Sequence, residues 1–406
     1  MLERLKSMGP GLLVAAAFIG PGTVTTASVA GAETGFALLW ALVFAIVATI
    51  VLQEMSARLG IVSRKGLGEA LRGAFENRFA KLAIVGLVIL AIGFGTAAFQ
   101  TGNVTGAALG MESVTGLSNR IWALLVGAAA FGLLASGIYK LIERVLVVLV
   151  VVMSIVFLVT AIMVGPDLGA MAAGLVPSIP SGSALTTIGL IGTTVVTYNF
   201  FLHASSVQDR WGKSIETGKA LGESRFDTVA SIVLGGFITL AILVTAAAAF
   251  HGSGTSIESA GQMAEQLEPL LGSYAKWLFA LGLFAAGMTS SVTAPLAAAY
   301  AVSGVLGWSS SLKDMRFRAV WTVVILVGTA FAFFGTSPVR AILVAQAANG
   351  LLLPLVALFL LLVMNRKALL GRYVNGPVGN GFAVLVLLLS TFLGAYTLLN
   401  VFGVIG

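Results

Sequence analysis

The chain has no cysteine, which excludes disulfides, thiolate metal centres and thiol redox chemistry. It is nearly as poor in charge: Asp, Glu, Lys and Arg make up 10% of 406 residues, and there are two histidines. No nucleophile or metal-ligand constellation stands out, and the scattered serines have no paired base that would make a triad. A basic-aromatic patch of the kind that binds nucleic acid is also missing. Long polar stretches are absent too, so no soluble domain is expected. What is present is apolar: 58% of residues are hydrophobic and the mean hydropathy is +1.03, far from ordinary soluble composition.

Apolar runs of membrane-spanning length recur along the chain. They lie at about 9–33, 36–58, 81–109, 121–139, 144–165, 184–207, 226–250, 274–306, 318–336, 338–365 and 380–404. Length and hydropathy together predict eleven helices, spans 1 to 11, in one transmembrane domain over 1–404. Twenty of the 23 Lys and Arg fall at the N-terminus and in every second loop; Arg120, Lys276 and Arg340 alone fall on the other side. The positive-inside rule then predicts a multi-pass protein of the plasma (inner) membrane, N-terminus cytoplasmic and C-terminus outside. This bias accounts for the net charge of +7 without a nucleic-acid partner. The partners expected are the lipid bilayer and a small inorganic ion; no obligate protein partner and no cofactor are evident.

Span 1 is interrupted midway by Ile19-Gly20-Pro21-Gly22-Thr23. Such a break frees backbone groups where no water can satisfy them, and it is tolerated only where it is buried in protein or lines a cavity. Broken helices of this kind hold substrate near the bilayer midplane in transporters. Gly20, Pro21, Gly22 and Thr23, with Thr26 one turn on, are therefore candidate binding residues.

Several segments resemble one family. Leu52-Gln53-Glu54 through Arg58-Leu59-Gly60-Ile61-Val62 closes span 2; Gly192 to Gln208 forms span 6; Gly287 to Thr293 lies in span 8; and Gln346 to Leu369 forms span 10. Together, in this order, they resemble the natural resistance-associated macrophage proteins (NRAMP), which are proton-coupled divalent-metal transporters. The resemblance implies the all-α LeuT fold: two inverted five-helix repeats, spans 1–5 (about 9–165) and 6–10 (about 184–365), plus an eleventh helix (about 380–404). Spans 1 and 6 are broken in that fold, which adds Thr193, Val196, Thr197, Tyr198 and Asn199 around the second break and Gln346 from span 10.

The departures bear on cargo. The family's helix 1 motif is Asp-Pro-Gly-Asn, and the same four positions here read Gly20-Pro21-Gly22-Thr23. In span 6 the family's metal-binding Met is Val196, its Pro is Thr197 and its next His is Tyr198. The two acids of the family's helix 3 proton path are replaced by Gln100 and Asn103. A Mn²⁺ or Fe²⁺ site wants carboxylate, imidazole or thioether donors. Losing one carboxylate at about 4 Å from a divalent ion forfeits about 8 kcal/mol of gross attraction at an effective dielectric of 20. Two half-helix N-termini, after Pro21 and near Tyr198, are instead expected to point at one volume and to favour an anion. Thr23, Thr25, Thr26 and Asn199 would supply donors, and Val196 would narrow the cavity.

Gly287, Ser290 and Ser291 match the small-x-x-Ser/Thr-Ser/Thr spacing that LeuT-fold transporters use for sodium, although proton-coupled relatives carry a similar sequence. His203 matches a family histidine and is a candidate proton relay or a packed neutral ring. The sequence therefore predicts a secondary transporter, not an enzyme, whose site is unsuited to transition metals. It would import a small oxyanion such as bicarbonate, with Na⁺ as the coupling ion. The alternative is a divalent-cation (Mg²⁺ or Mn²⁺) transporter of the same family.

Overall fold

The computed structural model describes residues 19–137, 139–211 and 216–404, and it is all-helical over them. Ten of its helices are long and apolar enough to cross a membrane. The second half of span 1 adds α1, Pro21–Thr34; its first half, 9–18, lies outside the described residues, as do Arg4, Lys6 and Lys213 from the charge count. Then follow α2 (Leu39–Ser63) and α3 (Gly95–Thr115), the latter entered through Arg78–Val88 and a π-helical turn at Ile89–Phe94. Next come α4 (Asn119–Ser136) and α5 (Tyr139–Met163). Span 6 divides into α6 (Ala184–Thr194) and α7 (Thr197–Trp211). The chain ends with α8 (Thr217–Phe250), α9 (Ala275–Leu306), α10 (Met315–Phe334), α11 (Pro338–Met364) and α12 (Pro377–Val401).

Local chemistry sets the helix ends. Asn77 and Asp314 accept hydrogen bonds from Phe79 N and Arg316 N, both at 2.8 Å, satisfying first-turn donors. Gly116 (φ 73°) supplies the left-handed residue that ends α3. In α1, Pro21 sits in the first turn, where its missing N–H costs nothing.

The two halves of span 6 form the centre. Of their most apolar stretch 94% is buried inside protein, against 33% for α4, α5, α10 and α12. The latter four present their exposed Leu, Val, Ile and Phe to lipid. Around the centre, α9 packs along α3 most extensively of all helix pairs, α8 lies along α1, and α11 lies along α6. Gly287 makes the first contact possible: a Cβ there would lie 2.6 Å from Ala107 Cβ and 2.8 Å from Asn103 O.

Candidate functional site

The break in span 1 begins at Gly20, whose backbone is extended (φ −97°, ψ −179°) before α1 starts at Pro21. The first intrahelical bond is Val24 N to Gly20 O at 3.2 Å. Gly22, in the first turn, stands ahead of it at the positive end of the helix dipole. In span 6 the helix stops at Thr194, Val195 takes a non-helical conformation (φ −96°, ψ 75°), and α7 starts at Thr197. The sequence placed this second start near Tyr198, one residue on.

Side chains join the two breaks. The Thr23 and Thr193 hydroxyls are 2.8 Å apart and share a hydrogen bond. Thr186 Oγ1 donates to Glu33 Oε2 at 2.9 Å, so the C-terminal end of α1 is also tied to the N-terminal end of α6. Gln346 reaches from α11 into the notch left by Gly22, where a Cβ would lie 2.2 Å from Gln346 Nε2. Gln346 is fully buried, and neither its amide nitrogen nor its amide oxygen has a hydrogen-bond partner among the described residues. The hydroxyls of Thr25 and Thr26 on α1 and of Tyr198 on α7 are likewise buried without a partner. Tyr198 packs edge-on against Phe99 with centroids 5.2 Å apart, and Val196 is buried beside the break. Asn199 N bonds Val196 O at 3.1 Å, closing the first turn of α7.

Asn349, one turn beyond Gln346 on α11, is a site residue that sequence reasoning passed over. Its Oδ1 accepts from Thr197 N at 3.2 Å and from Thr197 Oγ1 at 2.6 Å. Its Nδ2 donates to Gly192 O and to Val195 O, the latter at 3.1 Å. The residue lies inside the Gln346–Leu369 segment that carried the family resemblance, yet nothing in that string shows that it spans a break in another helix. One turn of α11 thus links the N-terminus of α1, through Gln346 and Gly22, to the N-terminus of α7, through Asn349 and Thr197.

The ion-coupling candidates occupy two other places. Ser290 and Ser291 are fully buried, and their hydroxyls have no partner among the described residues. Pro295 lies inside α9 and cannot donate to Ser291 O, four residues earlier. Gln100 Nε2 fills that vacancy from α3 at 3.1 Å, and Asn103 Nδ2 donates to Gln100 Oε1 at 3.3 Å. The residues read as an altered proton path therefore brace the helix that carries the sodium candidates. His203 lies elsewhere, on α7: its Nδ1 meets the Gln53 side-chain amide of α2 at 2.8 Å.

The lining of both breaks is uncharged. Among the described residues no three His, Cys, Asp or Glu side chains come together in a way that could hold a metal ion. Outside the breaks, a cavity of about 680 Å³ opens over the C-terminal end of α1 and the N-terminal ends of α6 and α11, lined by Val29, Glu33, Thr186, Arg340 and Leu343 among others. Val29 and Leu343 stand one turn from Thr26 and Gln346, so little more than one turn of helix separates that cavity from the site.

Comparison with known proteins agrees with this architecture. The family model "Natural resistance-associated macrophage protein-like" matches residues 11–400. The "Divalent metal cation transporter MntH" of Klebsiella pneumoniae is 31% identical over 395 residues, covering 95% of this chain and 92% of that protein. Among solved structures, the Eremococcus coleocola manganese transporter in complex with an aromatic bis-isothiourea substituted compound superposes with a TM-score of 0.77 at 21% identity, over 98% of this chain and 88% of that one. MhsT in complex with L-phenylalanine, which shares the LeuT fold, follows at 0.58 and 17%, over 96% and 97%. The chain is a multi-pass membrane transporter, not an enzyme, and it belongs to the natural resistance-associated macrophage protein family.

Proposed function

We propose that this NRAMP-family member carries a small oxyanion such as bicarbonate into the cell, with Na⁺ as the coupling ion. One observation carries the reading. At the junction of the two breaks stands a fully buried amide, Gln346, between two helix N-termini, with neither a hydrogen-bond partner nor a carboxylate beside it among the described residues. A buried unpaired amide is costly; a guest that accepts from Nε2 at the N-terminal end of α1 would relieve that cost. The hydroxyls of Thr25 and Thr26 are further donors within the same helix. Bicarbonate both accepts and donates, so it can also meet Gln346 Oε1. Ser290 and Ser291 offer two neutral oxygens to a monovalent cation, and net uptake of an anion against a negative-inside potential requires such a partner. The positive-inside bias favours the inner membrane with the N-terminus in the cytoplasm.

The test is uptake of labelled bicarbonate into proteoliposomes, faster under an inward Na⁺ gradient than in choline. Equal uptake with and without protein rejects the anion. A second reading has an observation of its own: the relatives at 30–31% identity are named divalent metal cation transporters. Mn²⁺ or Mg²⁺ flux in the same vesicles, insensitive to bicarbonate, would decide for it.

A further inference from the structure

The Asn349 amide bridges the gap in span 6 from both sides, and its orientation follows from chemistry. A main-chain N–H must meet an acceptor and a carbonyl must meet a donor, so Oδ1 faces Thr197 while Nδ2 faces the carbonyls of Gly192 and Val195. Those two carbonyls belong to the last turn of α6 and the residue just past it. Carbonyls at the unwound C-terminal end of a half-helix are the groups that coordinate a cation in broken-helix transporters. The negative end of the α6 dipole also favours positive charge there. Nδ2 lies 3.1 Å from Val195 O, and Asn349 is 2% exposed, so the position is filled and closed.

We propose that Asn349 is the specificity-determining residue of the span 6 break. Its amide nitrogen takes the place of a cation on the terminal carbonyls of α6 and so shuts cations out. The inference rests on the reading that the breaks hold the transported ion. Asn349 acts through the carbonyls and through Thr197, which makes it a positioning residue. Replacing Nδ2 by a second oxygen would turn the same pocket into a cation site, with a carboxylate beside two carbonyls and the Thr197 hydroxyl, all hard oxygen ligands.

The experiment compares full-length wild type, N349D and N349S in detergent. Melting temperature is measured in EDTA and in MnCl₂, with gel filtration as the check on folding. N349S removes the amide and vacates the Nδ2 position while leaving a neutral hydroxyl on α11, so it decides the matter should N349D not fold. The expected result is a rise of several degrees for N349D when Mn²⁺ stands about 100-fold above its Kd, a smaller rise for N349S, and none for wild type. Indifference to Mn²⁺ in both monodisperse variants overturns the proposal, as does a wild-type shift equal to that of N349D. Bicarbonate uptake by wild type is read in parallel. Its absence alongside a Mn²⁺ response in N349D removes the anion reading and leaves the role of Asn349 standing.

Discussion

Substituting Gln100 by Leu probes the brace between α3 and α9 at nearly constant volume. The change strands Ser291 O, which Pro295 already deprives of its helical donor, and it removes the acceptor of Asn103 Nδ2. Each buried polar group left without a partner costs about 1–3 kcal/mol, so Q100L should lose about 2–6 kcal/mol. P295A restores an N–H four residues after Ser291 and should be close to neutral alone. In the double variant Q100L/P295A the new N–H meets Ser291 O, which recovers about 1–3 kcal/mol through a coupling that neither single change shows. One kcal/mol moves Tm by about 2–4 °C in domains of 150–250 residues and less in longer chains. The recovery should therefore read as about 2–5 °C in melts followed by tryptophan fluorescence. Na⁺ stimulation of uptake should fall in Q100L and return in the double variant, because the brace fixes the turn that carries Ser290 and Ser291. If Q100L/P295A melts with Q100L, the account of Gln100 as the donor replacing Pro295 is refuted.

Two further substitutions separate packing from binding. T23V strands the Thr193 hydroxyl and should lower stability by about 1–2 kcal/mol, whereas T23V/T193V removes both partners and should restore Tm without restoring uptake. Gly192 and Gly22 form a contrasting pair. A Cβ at Gly192 meets backbone, Gln346 O at 2.1 Å and Gly350 N at 2.5 Å, so G192A should force α6 and α11 apart and fail gel filtration. The nearest atoms to a Cβ at Gly22 are the side-chain end of Gln346, which can turn aside, so G22A should fold with Tm near wild type and a raised KM.

The parts of the molecule that depend on one stretch of chain were legible in the sequence. Span lengths follow from hydropathy, and ten of the twelve predicted ends of spans 6 to 11 lie within three residues of the observed ones, as at Ala184 and Pro338. The Gly20-Pro21-Gly22 interruption marked the start of α1, because proline and glycine act locally on the backbone. Helix α8, by contrast, starts at Thr217, ahead of the apolar run at 226, because its first turns are polar and give no hydropathy signal. The clasp made by Asn349 and the donor role of Gln100 were not legible. Each depends on a carbonyl orphaned in a different helix, and only the packing of α11 on α6 and of α3 on α9 brings the partners together. Gln100 and Asn103 could be read from the chain only as lost acids.

Every side chain from Gly9 to Ala32 and from Ala184 to Leu202 lacks a formal charge, so the stretches of the broken helices that flank the site carry no charged side chain for the transmembrane field to pull on. The field acts on the passenger, at about 2.3 kcal/mol per elementary charge per 100 mV. The empty carrier's return stroke should thus be blind to voltage, and steps of potential applied without substrate should draw no gating current.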